Sequence, residues 1–512
     1  TKGTQQYTSN RFNISANMGH SDGWNTGGQS TETFFPNKEH TFAIKDSYRY
    51  KHNLKPQMEA RLFAYADSIN TINVKVKATY EKARKSYEER SASYGYQPDQ
   101  FAYHSLNEAL AAKPGDALYD RLITRNRNYE SSEQQKRGLN ISYEWQHFIG
   151  KKGSFTLQGY TNLSGTDEDT HTNRNVGYLR EQRNETLWQY YDRNDHDMET
   201  LLGASLEHWL GKKVYFNIYD NVSYQRTRIA RDFFSDTDEQ NVANGTPTTA
   251  DPANTMRNLT HKWKNELAVK STITPVKALM IMPKFRWNIN REKADYLYGT
   301  LDTTAVRTSH SYEPSIFLKW KMSRVRNMDI AFAYNTSVPE LVSTLGYRNT
   351  IDPLQIYTGN PLLRNSHSHT TTYNYHRMWL RKQIVLGVSA SYNKDINPVA
   401  TLYSYNSATG VYESKPTNVK GGDTWKFGFN YDQGIGFYFR LMNKFALETA
   451  KSYGFLTIID NNAADAQPEL NKQKRLGIDN NFELSYETEK RQLSLFDRLE
   501  WNRYRYNDTS YN

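Results

Sequence analysis

Apolar and polar residues alternate along many segments of the chain. In residues 139–146, Leu, Ile, Tyr and Trp occupy the odd positions, while Asn, Ser, Glu and Gln occupy the even ones. Successive side chains of a strand point to opposite faces, so this pattern predicts a β-strand with one apolar and one polar face. The same alternation recurs at 12–18, 72–80, 214–219, 279–287, 384–393 and 425–432. Since no helical stripe of comparable length accompanies it, the pattern predicts an all-β protein.

The turns between these segments fall into two length classes. Short turns are predicted at 67–70, 150–153, 211–213, 323–327 and 381–383, and long loops at 96–120, 235–255, 336–366 and 458–470. Short turns on one side and long loops on the other are typical of a transmembrane β-barrel, with the short turns periplasmic and the long loops extracellular. Several strands exceed the roughly ten residues that a membrane crossing needs. The polar stretch Tyr80–Tyr94 therefore predicts a hairpin that stands above the bilayer.

The number of alternating segments predicts roughly 16 to 20 strands in one large antiparallel barrel. A soluble propeller, an array of sandwiches or a β-helix is the alternative, and each would show a repeat of fixed period. Only a loose recurrence is present, in which 207–213 resembles 144–152. We therefore favour the transmembrane barrel.

The composition agrees with this architecture. Only 37% of the 512 residues are hydrophobic and the mean hydropathy is −0.86, yet the chain has 38 Tyr, 22 Phe and 10 Trp. Disordered chains are poor in aromatic residues. A barrel with a wet interior explains both facts, because only its outward face must be apolar. The longest aliphatic stretch, Ala278–Met282, falls far short of the ~18 residues of a membrane-spanning helix, so strands must do the crossing.

Charge and cysteine content exclude several kinds of function. The chain has no cysteine, which removes disulfides, thiolate metal sites and cysteine nucleophiles. Its net charge is +10, but the Lys and Arg residues are dispersed among 55 acidic residues, so we expect no nucleic acid as a partner.

Tryptophan often precedes a predicted short turn. These positions are Trp145, Trp209, Trp320 and Trp379. Aromatic side chains concentrate at membrane interfaces, so we interpret the four as a periplasmic girdle. Trp209 departs from the pattern, because its position in the alternation puts it on the face of Ser205 and Glu207.

No sequence motif for catalysis is present. The chain lacks Gly-x-Ser-x-Gly, His-Glu-x-x-His and the phosphate-binding Gly-x-x-x-x-Gly-Lys-[Ser/Thr]. We predict neither an enzyme nor a cofactor. An outer-membrane protease or lipase remains the alternative, since such enzymes scatter their catalytic residues over strand tips.

Two groups of residues have side chains that could bind a metal. His367 and His369 share a strand face, but a third ligand is missing, so we interpret them as ordinary polar residues. The acidic stretches 167–169 and 236–240 lack the Gly and terminal Glu of a calcium loop. We expect them to be solvated loops or contacts to cations that bridge lipopolysaccharide, and predict no metal site.

One long loop has helical periodicity. Leu106, Leu110, Leu118 and Leu122 are spaced for two short helices interrupted at Pro114–Gly115. We therefore assign 96–124 as an extracellular loop with short helices. It is either a docking surface for a partner lipoprotein or simply a packed loop.

The segment 352–369 resembles a signature of TonB-dependent receptor barrels, and most closely that of the related outer membrane protein β-barrel family of Bacteroidetes. The residues that carry this resemblance are Asp352, Pro353, Gly359, Asn360, Pro361 and Leu363. The Lys-Pro-Glu that often follows is replaced by 364–366. Segments 210–216, 312–321 and 331–340 also resemble the family, and the resemblance covers 130–440 best.

The resemblance implies a location in the bacterial cell outer membrane and the uptake of a substrate through a barrel of about 22 strands with a plug. Alternating strands begin within the first twenty residues, and Tyr506–Asn512 has the character of a loop. We therefore expect 1–512 to be a partial transmembrane barrel domain without its plug and closing strands. The implied partners are outer-membrane lipid, lipopolysaccharide and TonB, the last through a plug that is not in this chain. The alternative is a non-transporting barrel subunit of an assembly, secretion or surface-binding complex, with a surface lipoprotein as its partner.

Overall fold

Long antiparallel strands make up most of the protein. The computed structural model describes residues 10–33, 40–97, 102–406, 411–456 and 469–505. In chain order, the strands are β1 (Arg11–Thr33), β2 (His40–Tyr65), β3 (Asn70–Tyr96), β4 (Leu122–Ile149), β5 (Gly153–Tyr178), β6 (Arg183–Leu210), β7 (Val214–Asp236), β8 (Val242–Ala243), β9 (Thr246–Pro247), β10 (Met256–Val276), β11 (Leu279–Tyr298), β12 (Leu301–Ser323), β13 (Arg326–Ser337), β14 (Arg348–Asn349), β15 (Gln355–Thr358), β16 (Ser366–Trp379), β17 (Ile384–Ile396), β18 (Val399–Asn406), β19 (Val411–Asn418), β20 (Asp423–Ile435), β21 (Phe439–Leu456), β22 (Glu469–Glu487) and β23 (Gln492–Arg505).

Seventeen of these strands form one continuous sheet. Apart from the short strands β8, β9, β14, β15, β18 and β19, each strand pairs antiparallel with the next one along the chain. Strands β1 and β23 are the two edges, and no ladder joins them within the described ranges. The predicted large antiparallel transmembrane barrel architecture, with roughly 16 to 20 strands, is confirmed. The predicted loop character of Tyr506–Asn512 and most of the predicted loop 458–470 lie outside the described residues.

Short turns join the strands at one end of the sheet. Gly150 and Gly211 take positive φ angles of 59° and 71°, which glycine adopts without strain. Asp67 closes another turn by accepting hydrogen bonds from the Ile69 N–H (2.8 Å) and from Asn70 Nδ2 (2.7 Å). Hydrogen bonds to the charged form lower the pKa of the Asp67 carboxyl. The predicted short turns are thus formed by local hydrogen bonds and glycine geometry.

The apolar positions of the alternation all lie on one face of the sheet, which we call the outward face. Strand pairing aligns Leu139 with Leu163 and Trp145 with Leu157 across β4 and β5. Leu202 is 53% exposed and Ile14 is 58% exposed, so little protein covers them. A continuous exposed apolar surface of this kind marks a contact with lipid or another protein. We call it the apolar band.

The opposite face, which we call the inward face, is polar. Here Lys75 pairs with Glu59 (3.1 Å) and Lys264 with Glu266 (3.0 Å). Glu168 accepts from both Lys85 (3.1 Å) and Arg193 (3.2 Å). These three carboxylates therefore have cationic partners on a polar face, which is the character of the interior of a transmembrane barrel.

The acidic stretch 167–169 is not a loop, and that prediction was wrong. It lies in the middle of β5, opposite β4 and β6. The strand continues well beyond the apolar band, so its polar composition reflects solvent on the outward face and the buried ion pairs of Glu168 on the inward face rather than a turn. The stretch 236–240 does lie at the end of β7 and in the following loop, as expected.

The long loop after β3 forms helix α1 (Leu106–Ala111), which is capped by reciprocal hydrogen bonds between Ser105 and Glu108. The helix packs on Phe42 and Tyr94, on the outward side of the strand ends. No helix of the described residues is long and apolar enough to span a membrane. The packing favours the packed-loop interpretation of this segment.

The second predicted helix of this loop is only a 3-10 turn, Tyr119–Arg121. Gly115 has φ 99°, and β4 already begins at Leu122. Too few residues remain between them for a stable α-helix. The leucine spacing of 118 and 122 therefore reflects packing against α1 rather than a helix.

Candidate functional site

The loop between β13 and β16 folds over the inward face of the sheet. We call residues 338–365 the inner loop. It contains a 3-10 turn (Val342–Thr344) and the strands β14 and β15. Strand β15 pairs in parallel with β19, which pairs with β18, so two successive long loops combine in one four-stranded sheet.

Gly359, one of the signature residues, lies where the inner loop folds back on itself. Its N–H donates to the Tyr347 carbonyl (2.9 Å). A Cβ atom at this position would overlap the Leu345 carbonyl oxygen. Only glycine permits this close approach of two backbone segments.

Asn360 joins the two loops. Its side chain donates from Nδ2 to the Pro416 carbonyl (2.7 Å) and accepts at Oδ1 from the Leu362 N–H (3.0 Å). Its own N–H donates to the Ser343 carbonyl (2.9 Å). Asn360 is 5% exposed, so loss of these bonds would leave buried polar groups unsatisfied. The turn then closes through the Leu363 N–H, which donates to the Asn360 carbonyl (3.2 Å), across Pro361.

Asp352 and Pro353 lie at the tip of the inner loop. This tip is several strands away from β13 and β16, the two strands that the loop connects. The Asp352 carboxylate pairs with Arg174 of β5 (2.5 Å) and also accepts from the Leu354 N–H (3.0 Å). Gln189 of β6 donates to the Ile351 carbonyl (3.1 Å). Arg174 is 9% exposed, so its guanidinium is largely shielded from water, whereas the Asp352 side chain is 37% exposed. The inner loop therefore reaches from β13 to β5 and β6.

A cluster of tyrosines holds the middle of the inner loop against β11. The Tyr347 ring lies 5.6 Å from the Tyr296 ring and 5.3 Å from the Tyr298 ring. Burial raises the pKa of the Tyr347 hydroxyl above its ordinary value. The hydroxyl of Thr350 donates to Asn254 Oδ1 (3.1 Å). These contacts fix the inner loop about midway between its ends.

A cavity of about 390 Å³ lies between the inner loop and the inward face of β7, β10 and β11. Its walls include Arg231, Lys262, Tyr298 and Glu340. The Tyr298 hydroxyl and Arg231 Nε are buried and have no hydrogen-bond partner among the described residues, and Tyr298 is only 5% exposed. Buried donors without partners are costly, and bound water or a ligand can satisfy them. The cavity can therefore bind a group rich in hydrogen-bond acceptors.

A second cavity of about 250 Å³ adjoins the first. Both are lined by Lys262, Glu292 and Glu340, and the second extends along β12 past Arg307. Arg307 pairs with Glu292 (3.0 Å) and also donates to the Pro339 carbonyl. The two cavities form a polar passage beneath the first part of the inner loop.

The predicted site residues divide into two sets. The signature residues all lie in the inner loop, whereas the tryptophans are spread around the sheet. Trp145, Trp320 and Trp379 belong to the outward face near short turns, and Trp209 lies on the inward face opposite Tyr215. His367 and His369 share the outward face of β16, where His367 Nδ1 contacts Thr336 Oγ1 (3.1 Å). No group of metal ligands occurs in the described part of the chain.

The cavity residues Arg231, Tyr296 and Tyr298 were not predicted from the sequence. One signal was present, because Tyr296 and Tyr298 occupy polar-face positions of β11, where a lumen wall would carry hydrophilic side chains. An aromatic pair at inward positions indicates that something packs on that face. Arg231 carries no such signal, since arginine is common on both faces of the strand ends.

The fold and the inner loop together define an outer-membrane β-barrel. Residues 296–507 match the family described as "Outer membrane protein beta-barrel family". This match confirms the expected resemblance to outer-membrane β-barrels and the location in the bacterial outer membrane. The match includes β12 to β23 and the whole inner loop.

Solved structures similar to this chain include two receptors and a transporter. They are the siderophore receptor PirA from Pseudomonas aeruginosa (9% identity, 96% of this chain and 74% of that chain, TM-score 0.37), the copper transporter OprC (9%, 98% and 72%, 0.44) and a double mutant of the Serratia marcescens hemophore receptor HasR in complex with its hemophore HasA and heme (9%, 94% and 74%, 0.42). A search of curated proteins found no match.

Proposed function

We propose that the protein takes up a substrate across the outer membrane, as the barrel of a TonB-dependent-receptor-like protein. One observation carries this proposal: the inner loop crosses the inward face and encloses a polar cavity beneath it. A diffusion pore needs an open lumen, whereas an inner loop fixed to β5, β6 and β11 obstructs passage and offers a binding surface. Such an arrangement suits a ligand that is too large or too scarce for a porin.

The cavity suggests the chemistry of the ligand. Arg231 and Tyr298 supply donors without protein partners, and Lys262 adds a cation. Tyr296 and Tyr347 add aromatic surface beside them. A ligand with carboxylate or hydroxyl groups on a flat ring system would satisfy all of these groups at once.

In this proposal, 1–512 is the transmembrane barrel domain, and a plug outside this chain couples the barrel to TonB. The extracellular side is the side of the long loops, including 96–124. Trp145, Trp320 and Trp379 then form part of the periplasmic girdle, because all three lie near short turns on the outward face. The protein has no catalytic function in this account.

The second hypothesis is a non-transporting barrel subunit that docks a surface lipoprotein. It was motivated by the leucines of loop 96–124. Those leucines pack against the strands and helix α1, where Leu106 is 8% exposed. They are therefore not free to form an apolar docking surface, and transport remains the better supported hypothesis.

Uptake by cells that lack the gene tests the proposal. We expect the full-length protein to restore uptake of a labelled compound from a panel of ferric chelates and acidic oligosaccharides. Tyr298→Phe and Arg231→Gln should each lower uptake at limiting concentration by about ten-fold, since a hydrogen bond to a charged group contributes roughly 1.5–3 kcal/mol. Tyr312→Phe, at an outward position of β12, is the control. Uptake that is unchanged by deleting the gene, together with a co-purifying lipoprotein, would favour the second hypothesis.

A further inference from the structure

On the outward face, apolar side chains are followed by basic ones at the upper end of the apolar band, which is the end toward the long loops. On β4, Leu139 is the last apolar outward residue and Arg137 is the next outward residue along the strand. On β7, Tyr224 is followed by Arg226 and then Arg228. Strand pairing places Arg226 opposite Met198 of β6 and Arg228 opposite His196, so β7 becomes basic one outward position nearer the apolar band than β4 does.

The same change occurs elsewhere in the sheet. The first outward residue beyond the band is basic on several other strands, including Lys82 on β3, Arg291 on β11, Lys394 on β17 and Lys474 on β22. Strand β20 differs, with Asp423 in this place, and β5 has Gly165. Basic residues therefore mark the upper edge of the band on several strands, whereas β10, β12 and β16 have His261, His310 and His369 near this edge.

The charge is densest in a groove on the outward face of β4 to β7. The groove has a volume of about 540 Å³, with Leu139, Leu163 and Met198 at its apolar side and Arg137, His196, Arg226 and Arg228 at its polar side. His196, Arg226 and Arg228 are exposed. Among the described residues, Arg226 and Arg228 form no ion pair, and the guanidinium of Arg137 lies 3.8 Å from the Asp167 carboxylate.

Aromatic rings mark the same level beside the groove. The rings of Tyr224 and Trp263 lie 4.5 Å apart, and the Tyr224 hydroxyl contacts His261 Nδ1 (2.8 Å). Tyrosine and tryptophan are enriched where hydrocarbon meets headgroups. The arginines just beyond these rings therefore lie at the depth of lipid headgroups.

We propose that this groove binds the phosphorylated diglucosamine headgroup of lipid A, the acidic glycolipid anchor of lipopolysaccharide in the outer leaflet. Leu139, Leu163 and Met198 would contact its acyl chains, while Arg226 and Arg228 would bind a phosphate through paired N–H donors. Arginine is suited to this contact because its planar fork matches phosphate oxygens. The proposal rests on the orientation given above, in which the short turns are periplasmic, but not on the identity of the transported substrate.

Lipid retention tests the proposal. The full-length protein and an R226Q/R228Q variant are incorporated into phosphatidylcholine vesicles that contain diphosphorylated lipid A. The bound lipid is then counted by native mass spectrometry. We expect the variant to retain about ten-fold less lipid A, because it loses two charge-assisted contacts. R127Q is the matched control, since Arg127 is an outward residue of the same sheet region that lies further from the band and pairs with Glu88 (3.1 Å).

Three results would overturn the proposal. The R226Q/R228Q variant could retain as much lipid A as the wild-type protein, or R127Q could lose as much lipid A as R226Q/R228Q. The third is that the wild-type protein retains phosphatidylglycerol and lipid A equally. The last result would indicate a general anionic surface instead of a headgroup site. An R226K/R228K variant keeps the charge and should retain an intermediate amount of lipid. Each variant is also run on a gel without heating, where migration as the folded form shows that the barrel is intact. Uptake through the cavity at Tyr298 is measured separately, so failure of one proposal leaves the other testable.

Discussion

Replacing Leu202 by arginine is expected to destabilise the membrane-inserted barrel by about 2–4 kcal/mol, the cost of a cation on the lipid side near the middle of the bilayer. Leu202 is an outward residue of β6 within the apolar band and is 53% exposed. In the membrane this exposed area contacts hydrocarbon, where an arginine cannot be hydrated without deforming the bilayer. The measurement is a urea titration of folding into phospholipid vesicles.

Leu201→Arg is the matched control, since the same residue type is changed at the adjacent position. Leu201 faces inward, opposite Tyr160 and Ser223 and close to Glu199 on the same strand. An arginine there would be hydrated and would have a carboxylate nearby, so we expect a change below about 1 kcal/mol. Equal destabilisation by the two substitutions would mean that β6 has no lipid side.

Replacing Gly359 by valine should abolish the fold of the inner loop while leaving the barrel inserted. The new side chain overlaps the Leu345 carbonyl, and backbone on both sides must move to relieve the clash. Overpacking of this kind costs roughly 1–3 kcal/mol or more, which corresponds to about a five-fold or greater loss of the folded inner loop and of substrate uptake. Limited proteolysis between 338 and 365 reports on the loop, and heat-modified gel mobility reports on the barrel.

Gly346→Ala provides the control within the same loop. A Cβ at Gly346 would meet only the ring of Pro361, at an ordinary contact distance of 3.9 Å. We expect wild-type proteolysis and uptake for this variant. If Gly359→Val behaved in the same way, the inner loop would not depend on the close approach that the signature glycine allows.

The strands could be predicted from the sequence because alternation is a local property. Leu139 to Trp145 and their polar neighbours carry the full signal within one strand, and the pairing of β4 with β5 follows from the short turn between them. The sequence pattern also predicted that Trp209 lies on the inward face, as its pairing with Tyr215 confirms. These features depend only on neighbours along the chain.

The cavity beneath the inner loop could not be predicted in this way, because it depends on contacts between distant segments. Asp352 belongs to the signature by resemblance, yet nothing in the sequence indicates that Arg174 is its partner. The acidic stretch 167–169 was assigned to a loop because polar residues on both faces resemble a turn. Above the apolar band the outward face of β5 is in water and its inward face forms ion pairs, so both faces are polar although the segment is a strand.

Spin labelling along β6 tests the central claim, that one face of the sheet contacts lipid and the other an aqueous lumen. The chain has no cysteine, so single cysteines can be placed from Met198 to Leu206 without a background. The protein is reconstituted in vesicles, and collisions of each label with oxygen and with a water-soluble nickel complex are measured. We expect labels at the even, outward positions to be accessible to oxygen and labels at the odd, inward positions to the nickel complex, alternating residue by residue. Equal accessibility of both faces to the nickel complex would contradict it.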